Sequence, residues 1–132
     1  MAKLTDRWLQ KRFDEINCQY YDGRIPFVKV SFGKTDKDAN GHYDCSTRTI
    51  TINDEERRSG NERHIAIELL HESVHADLDL TDGYIGRMKD PKHGTRFHAG
   101  IWRLLTLGAY DGVLIVLLSV GALGGFTQWV IH

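Results

Sequence analysis

Apolar residues recur along this chain with two different periods, and the switches between them mark out its elements. Trp8, Phe13, Ile16 and Tyr20 follow helical spacing, and Thr5 or Asp6 can cap the helix they predict, which runs to about Tyr20. Tyr21-Asp-Gly-Arg-Ile-Pro26 stops it, because Gly23 suits a C-terminal cap and Pro26 cannot continue a helix. Phe27 to Phe32 alternates apolar with polar residues and predicts a strand. A polar turn region from Gly33 to Gly41 follows. Gly41–Cys45 and Arg48–Ile52 then read as two more strands joined at Ser46-Thr47. Three short strands predict a small antiparallel sheet, which needs a helix over one face to be stable. Asn53 to Asn61 reads as a charged linker.

From Glu62 to about Leu80 the period is helical again, with apolar residues on two sides. Ile67, Leu70, Val74 and Leu78 form one stripe and Ile65 and Leu69 a second, with Glu68, His71, Glu72 and His75 in the sector between them. Such a helix is wedged into its domain with the narrow polar sector facing a cleft. Thr81-Asp-Gly-Tyr breaks the pattern, and a polar loop with Pro91 runs to Gly94. A last amphipathic helix runs from Thr95 to about Leu107, with Phe97, Ile101, Leu104 and Leu105 on one face, and Gly108 to Gly112 ends it. The expectation is a single α+β domain over residues 1–112, followed by an apolar tail over 113–132. Val113 to Ile131 is 19 residues without a charge, just long enough to cross a hydrocarbon core as a helix. Membrane contact through 113–131 and soluble packing are both open for it. If it spans, the absence of Lys or Arg after Arg103 keeps the domain cytoplasmic.

Composition narrows the classes. The 132 residues are 41% hydrophobic and 27% charged, which describes an ordinary folded domain. A net charge of −1 leaves no electrostatic footprint for nucleic acid or anionic lipid. Cys18 and Cys45 form no C-x-x-C, which argues against a disulfide scaffold or zinc ribbon and fits a reducing, cytoplasmic setting. Met1 to Arg7 leads into no apolar run, so no signal peptide is expected.

The chemistry lies in the polar sector of the wedged helix. His71, Glu72 and His75 spell H-E-x-x-H, and residues four apart on a helix project from one face. Two imidazoles so placed supply half of a tetrahedral zinc site, with Glu72 beside the ion as general base. A five-residue pattern also arises by chance in a polar stripe, but here two apolar strips enclose it. A catalytic zinc needs a third protein ligand and an open position for water. No Glu follows Glu72, and Leu78 and Thr81 stand where a metzincin has Gly and His. Asp77, Asp79, Asp82 and Asp90 are carboxylate candidates; His93 and His98 are the histidines. His93 is preferred, because Gly94 and the preceding loop let its imidazole reach back over the first helix. His98 would lie inside the last helix and pack or face solvent, and His42 and His64 are read by default as surface histidines, with a supporting role beside the site left open for His64. Tyr84 and Arg87 are loop candidates for oxyanion donors.

Taken together, these motifs resemble the SprT-like family of zinc metallopeptidases over residues 5 to 112. The resemblance rests on Tyr20-Tyr-Asp-Gly-Arg-Ile-Pro26, Arg48-Thr-Ile-Thr-Ile-Asn53, Leu69-Leu-His-Glu-Ser-Val-His75 and His93-Gly-Thr-Arg-Phe97. It implies a zincin-like minimal metallopeptidase with one zinc held by His71, His75 and His93, Glu72 as catalytic base, and a protein substrate. DNA association is a property of some relatives. This chain has no cysteine after Cys45 and therefore no C-terminal zinc ribbon, which weakens that expectation. The competing reading is a metal-stabilised, protein- or DNA-associated binding module with little or no turnover.

Overall fold

The computed structural model describes residues 4–36, 39–89 and 94–110, with the backbone alone described for 82–89. Helix α1, Asp6–Tyr21, is capped by Thr5, whose hydroxyl accepts the Trp8 N–H at 3.1 Å. It buries Leu9, Phe13 and Tyr21 and ends where Asp22 and Gly23 turn left-handed, with φ of 53° and 73°. Strands β1 (Lys29–Gly33), β2 (Gly41–Asp44) and β3 (Thr49–Asn53) form one sheet in the order β1-β3-β2.

The sheet is mixed, which corrects the expected antiparallel arrangement. β2 and β3 form the antiparallel hairpin, but β1 runs parallel to β3 on its other side, with Val30 opposite Ile50 and Phe32 opposite Ile52. The cause is the segment between β1 and β2, which crosses the end of β3 instead of turning back beside β1. Asn53 ties it there. Its N–H donates to the Asn40 carbonyl at 2.8 Å, and its amide Nδ2 donates to Thr35 Oγ1 at 2.8 Å and the Ala39 carbonyl at 3.2 Å. The outer edge of β1 is met by side chains of α1. Gln10 donates to the Val28 carbonyl at 3.0 Å and accepts the Val30 N–H at 2.9 Å, and Asp6 accepts the Phe32 N–H at 2.9 Å.

Two further boundaries differ from expectation. The charged linker is a short helix, α2, Asp54–Ser59. Asn53 caps it by accepting the Glu55 N–H, and Gly60 ends it with φ 69°. Three acids in its first turn and two arginines in its last complement the helix dipole. The central helix α3 does not end near Leu80 but runs from Glu62 to Lys89. Thr81 returns its hydroxyl to the Asp77 carbonyl one turn back, a bond compatible with helix. Gly83 within the run is tolerated at a cost of about 1 kcal/mol.

α4, Thr95–Thr106, buries Phe97, Ile101 and Leu104. It crosses α3 so closely that a Cβ on Gly100 would stand 2.6 Å from Val74 Cγ1. α1 is bolted to α3 through Tyr21, whose hydroxyl meets Ser73 Oγ at 2.9 Å, while Ser73 donates to the Leu70 carbonyl at 2.6 Å. Burial of the phenol pushes its pKa up to about 12, so it stays a neutral partner. The Arg24 guanidinium pairs both oxygens of Asp77 at 3.2 and 3.1 Å. The apolar segment 113–131 lies outside the described residues, and among those described no helix is long and apolar enough to cross a membrane.

Candidate metal centre

The polar sector of α3 is enclosed. Glu68 is 3% exposed, His71 and Glu72 are each 1% exposed, and His75 is half-buried. Among the described residues the sector therefore meets protein where an open cleft was expected. β2 lies along it. Asn40 reaches Glu68 at 3.5 Å, a Cβ on Gly41 would be 3.7 Å from Glu72 Cγ, and the Tyr43 hydroxyl donates to Asp79 Oδ2 at 2.7 Å. From the other side α4 contributes Phe97, itself 1% exposed. His71 meets the phenyl ring edge-on at a centroid separation of 4.8 Å, and His75 stacks on it at 4.5 Å with 24° between the planes. An aromatic wall holds both imidazoles in one orientation and leaves less room for water beside them.

The donor set suits a small, nitrogen-preferring ion. Two imidazoles bound to one tetrahedral zinc through nitrogens at about 2.0–2.1 Å have centroids roughly 5 Å apart. The centroids of His71 and His75 are 5.2 Å apart, with 66° between the ring planes. Glu72 lies between the two in sequence and on the same side of the helix.

Several other candidate ligands are committed elsewhere. Asp77 is engaged by Arg24 and Asp79 by Tyr43, while His98 is exposed on α4. His93 and Asp90 lie outside the described residues, as does the side chain of Asp82. Among the described residues no third His, Cys, Asp or Glu joins His71 and His75 in a metal-sized group. Tyr84 and Arg87 were expected in a loop; their backbone belongs to α3, and their side chains lie outside the description.

Electrostatically, Glu68 stands out. Burial raises its carboxyl pKa to about 7, against the opposing pull of His64 and the Asn40 amide, with Glu56 adding to the rise. Sequence reasoning placed Glu68 in the sector but missed Asn40 and Gly41, which reach it only because the segment before β2 crosses the end of β3. Phe97 is expected on the apolar face of the last helix and at the end of the His93–Phe97 motif, but helical spacing carries no sign that imidazoles are its neighbours. No protein-family model, curated protein or solved structure matches the chain.

Proposed function

We propose that the chain is a zinc-dependent metallopeptidase that hydrolyses peptide bonds of protein substrates, as its resemblance to SprT-like metallopeptidases implies. The observation that carries this reading is the His71–His75 pair, whose centroids are 5.2 Å apart, with the buried Glu72 on the same helical turn. His71 and His75 would hold one zinc with His93 as third protein ligand. When bound, zinc supplies an acidified water and a polarised scissile carbonyl. Glu72 does the proton work: a carboxylate oxygen accepts a proton from the attacking water and returns it to the leaving nitrogen as the C–N bond breaks. Phe97 keeps the two imidazoles aligned. The two free, exposed cysteines fit a cytoplasmic setting.

The second reading, a metal-stabilised module bound to protein or DNA, draws on the near-complete enclosure of His71 and Glu72. Against it, a structural zinc fills all four positions with side chains and needs no general base beside it.

Two variants test the proposal in a protein-cleavage assay run with and without DNA. Glu72→Gln keeps the shape of the site, so it should retain zinc and lose at least about a hundredfold in cleavage. Cleavage at the wild-type rate removes Glu72 from the mechanism; a wild-type protein that binds zinc and cleaves nothing favours the module. His93→Ala should lose the metal in elemental analysis while His98→Ala keeps it, since two histidines alone leave the ion under-coordinated. Fractionating the full chain with and without detergent decides whether 113–131 tethers it to a membrane.

A further inference from the structure

Four polar side chains from three parts of the chain meet on α3 one turn ahead of Glu72. His64 contacts Glu56 of α2 through Nδ1 and brings Nε2 to 3.9 Å from Glu68 Oε1. Asn40, at the end of the crossing segment, brings its amide Nδ2 to 3.5 Å from the same oxygen. His64, Glu68 and Glu72 are spaced four apart and form one row along the helix. Glu68 Oε2 is buried with no hydrogen-bond partner among the described residues. A carboxyl group so placed costs stability, because its second oxygen has lost water without gaining a hydrogen bond. A side chain kept there at that cost calls for an explanation.

The neighbour of Asn40 supplies one. Gly41 opens β2 directly over Glu72, and the fit is tight. A Cβ there would stand 3.0 Å from Ile52 Cδ1, 3.2 Å from the Thr51 carbonyl oxygen and 3.7 Å from Glu72 Cγ. Asn40 is held from one side by the Asn53 N–H at 2.8 Å and from the other by Glu68. Any shift of Asn40 therefore moves the backbone that walls in the general base.

We propose that Glu68 is a positioning residue for Glu72: through Asn40 it sets where the first residue of β2 lies over the base, and Glu56 and His64 hold Glu68 in turn. The inference rests on the peptidase reading for the role of Glu72. Burial lifts the carboxyl pKa to about 7, so near neutrality much of the population carries it uncharged, and glutamine reproduces both its shape and that charge.

The test uses the zinc-loaded full chain as wild type, Glu68→Ala, Asn40→Ala, the double variant and Glu68→Gln, with hydrogen exchange and cleavage kinetics measured on each. Glu68→Ala and Asn40→Ala should each speed amide exchange across residues 40–44 by about tenfold, and the double variant should exchange no faster than either. Zinc content and exchange across 65–76 should stay at wild-type values. Cleavage should lose about tenfold in kcat with KM nearly unchanged, and Glu68→Gln should restore both readouts. Additive exchange effects, or no effect of Asn40→Ala, would overturn the coupling. Coupled exchange with kcat untouched would overturn the positioning role. A wild type without turnover sinks the peptidase reading and this role with it, whereas the exchange arm still reports whether Glu68 and Asn40 act together.

Discussion

Glu68 is held away from water against the preference of its own chemistry, and stability should record that. Its pKa rises from 4.5 to about 7 on folding, so the folded chain binds the proton more tightly than the unfolded one. For a carboxyl group this sign means that the stabilisation is fully present below pH 4.5 and is lost as pH rises through 7; the full shift is worth roughly 3 kcal/mol. In metal-free protein, the stability difference between Glu68→Gln and wild type should therefore grow in favour of the variant from pH 5 to pH 8. Denaturant midpoints at the two pH values check it; parallel curves would mean that Glu68 is charged in the fold. The triplet His71, Glu72 and His75 was legible from the sequence because helical spacing alone determines which residues share a face. Asn40 and Gly41 were not, because their importance comes from a strand that passes α3 and nothing local records that passage.

Among the elements, the link between α1 and β1 is the most exacting. One side chain, Gln10, closes the Val28 carbonyl just before β1 and the Val30 N–H within it, and no apolar replacement can do so. Gln10→Ala should cost about 1–3 kcal/mol in urea denaturation, because it strands the Val30 N–H and the Val28 carbonyl together. A loss below half a kcal/mol would mean that water takes over both groups. Helices α1 and α4 were legible to within a residue or two, since caps and stops bracket their apolar periods. α2 carries its boundary signals in the sequence: an Asn cap, acids first, arginines last, and Gly60 after. It buries nothing, and a period search registers only helices with an apolar face. The length of α3 is hidden for a related reason: Thr81 and Gly83 interrupt the apolar period, yet the helix runs on with the Thr81 hydroxyl bonded to the Asp77 carbonyl.

At the scale of the molecule, the hydrophobic core draws on residues from Leu9 to Tyr110, with Tyr110 itself 1% exposed. A chain ending at Gly112 should therefore remain folded and unfold in one cooperative transition; a broad, non-cooperative melt would make 113–131 part of the core. That the chain is α+β was legible from the alternation of periods, but the parallel pairing of β1 with β3 was not. Strand direction depends on where a connection crosses, and the polar segment between β1 and β2 allows a return on either side of β3. The closure of β1 has one more consequence. A sheet with two open edges can add copies of itself without limit, as fibres do. Here the β1 edge is occupied by Asp6 and Gln10, whose side chains already bond the backbone groups that an added strand would need. The described sheet therefore cannot grow from its β1 side without first breaking those bonds.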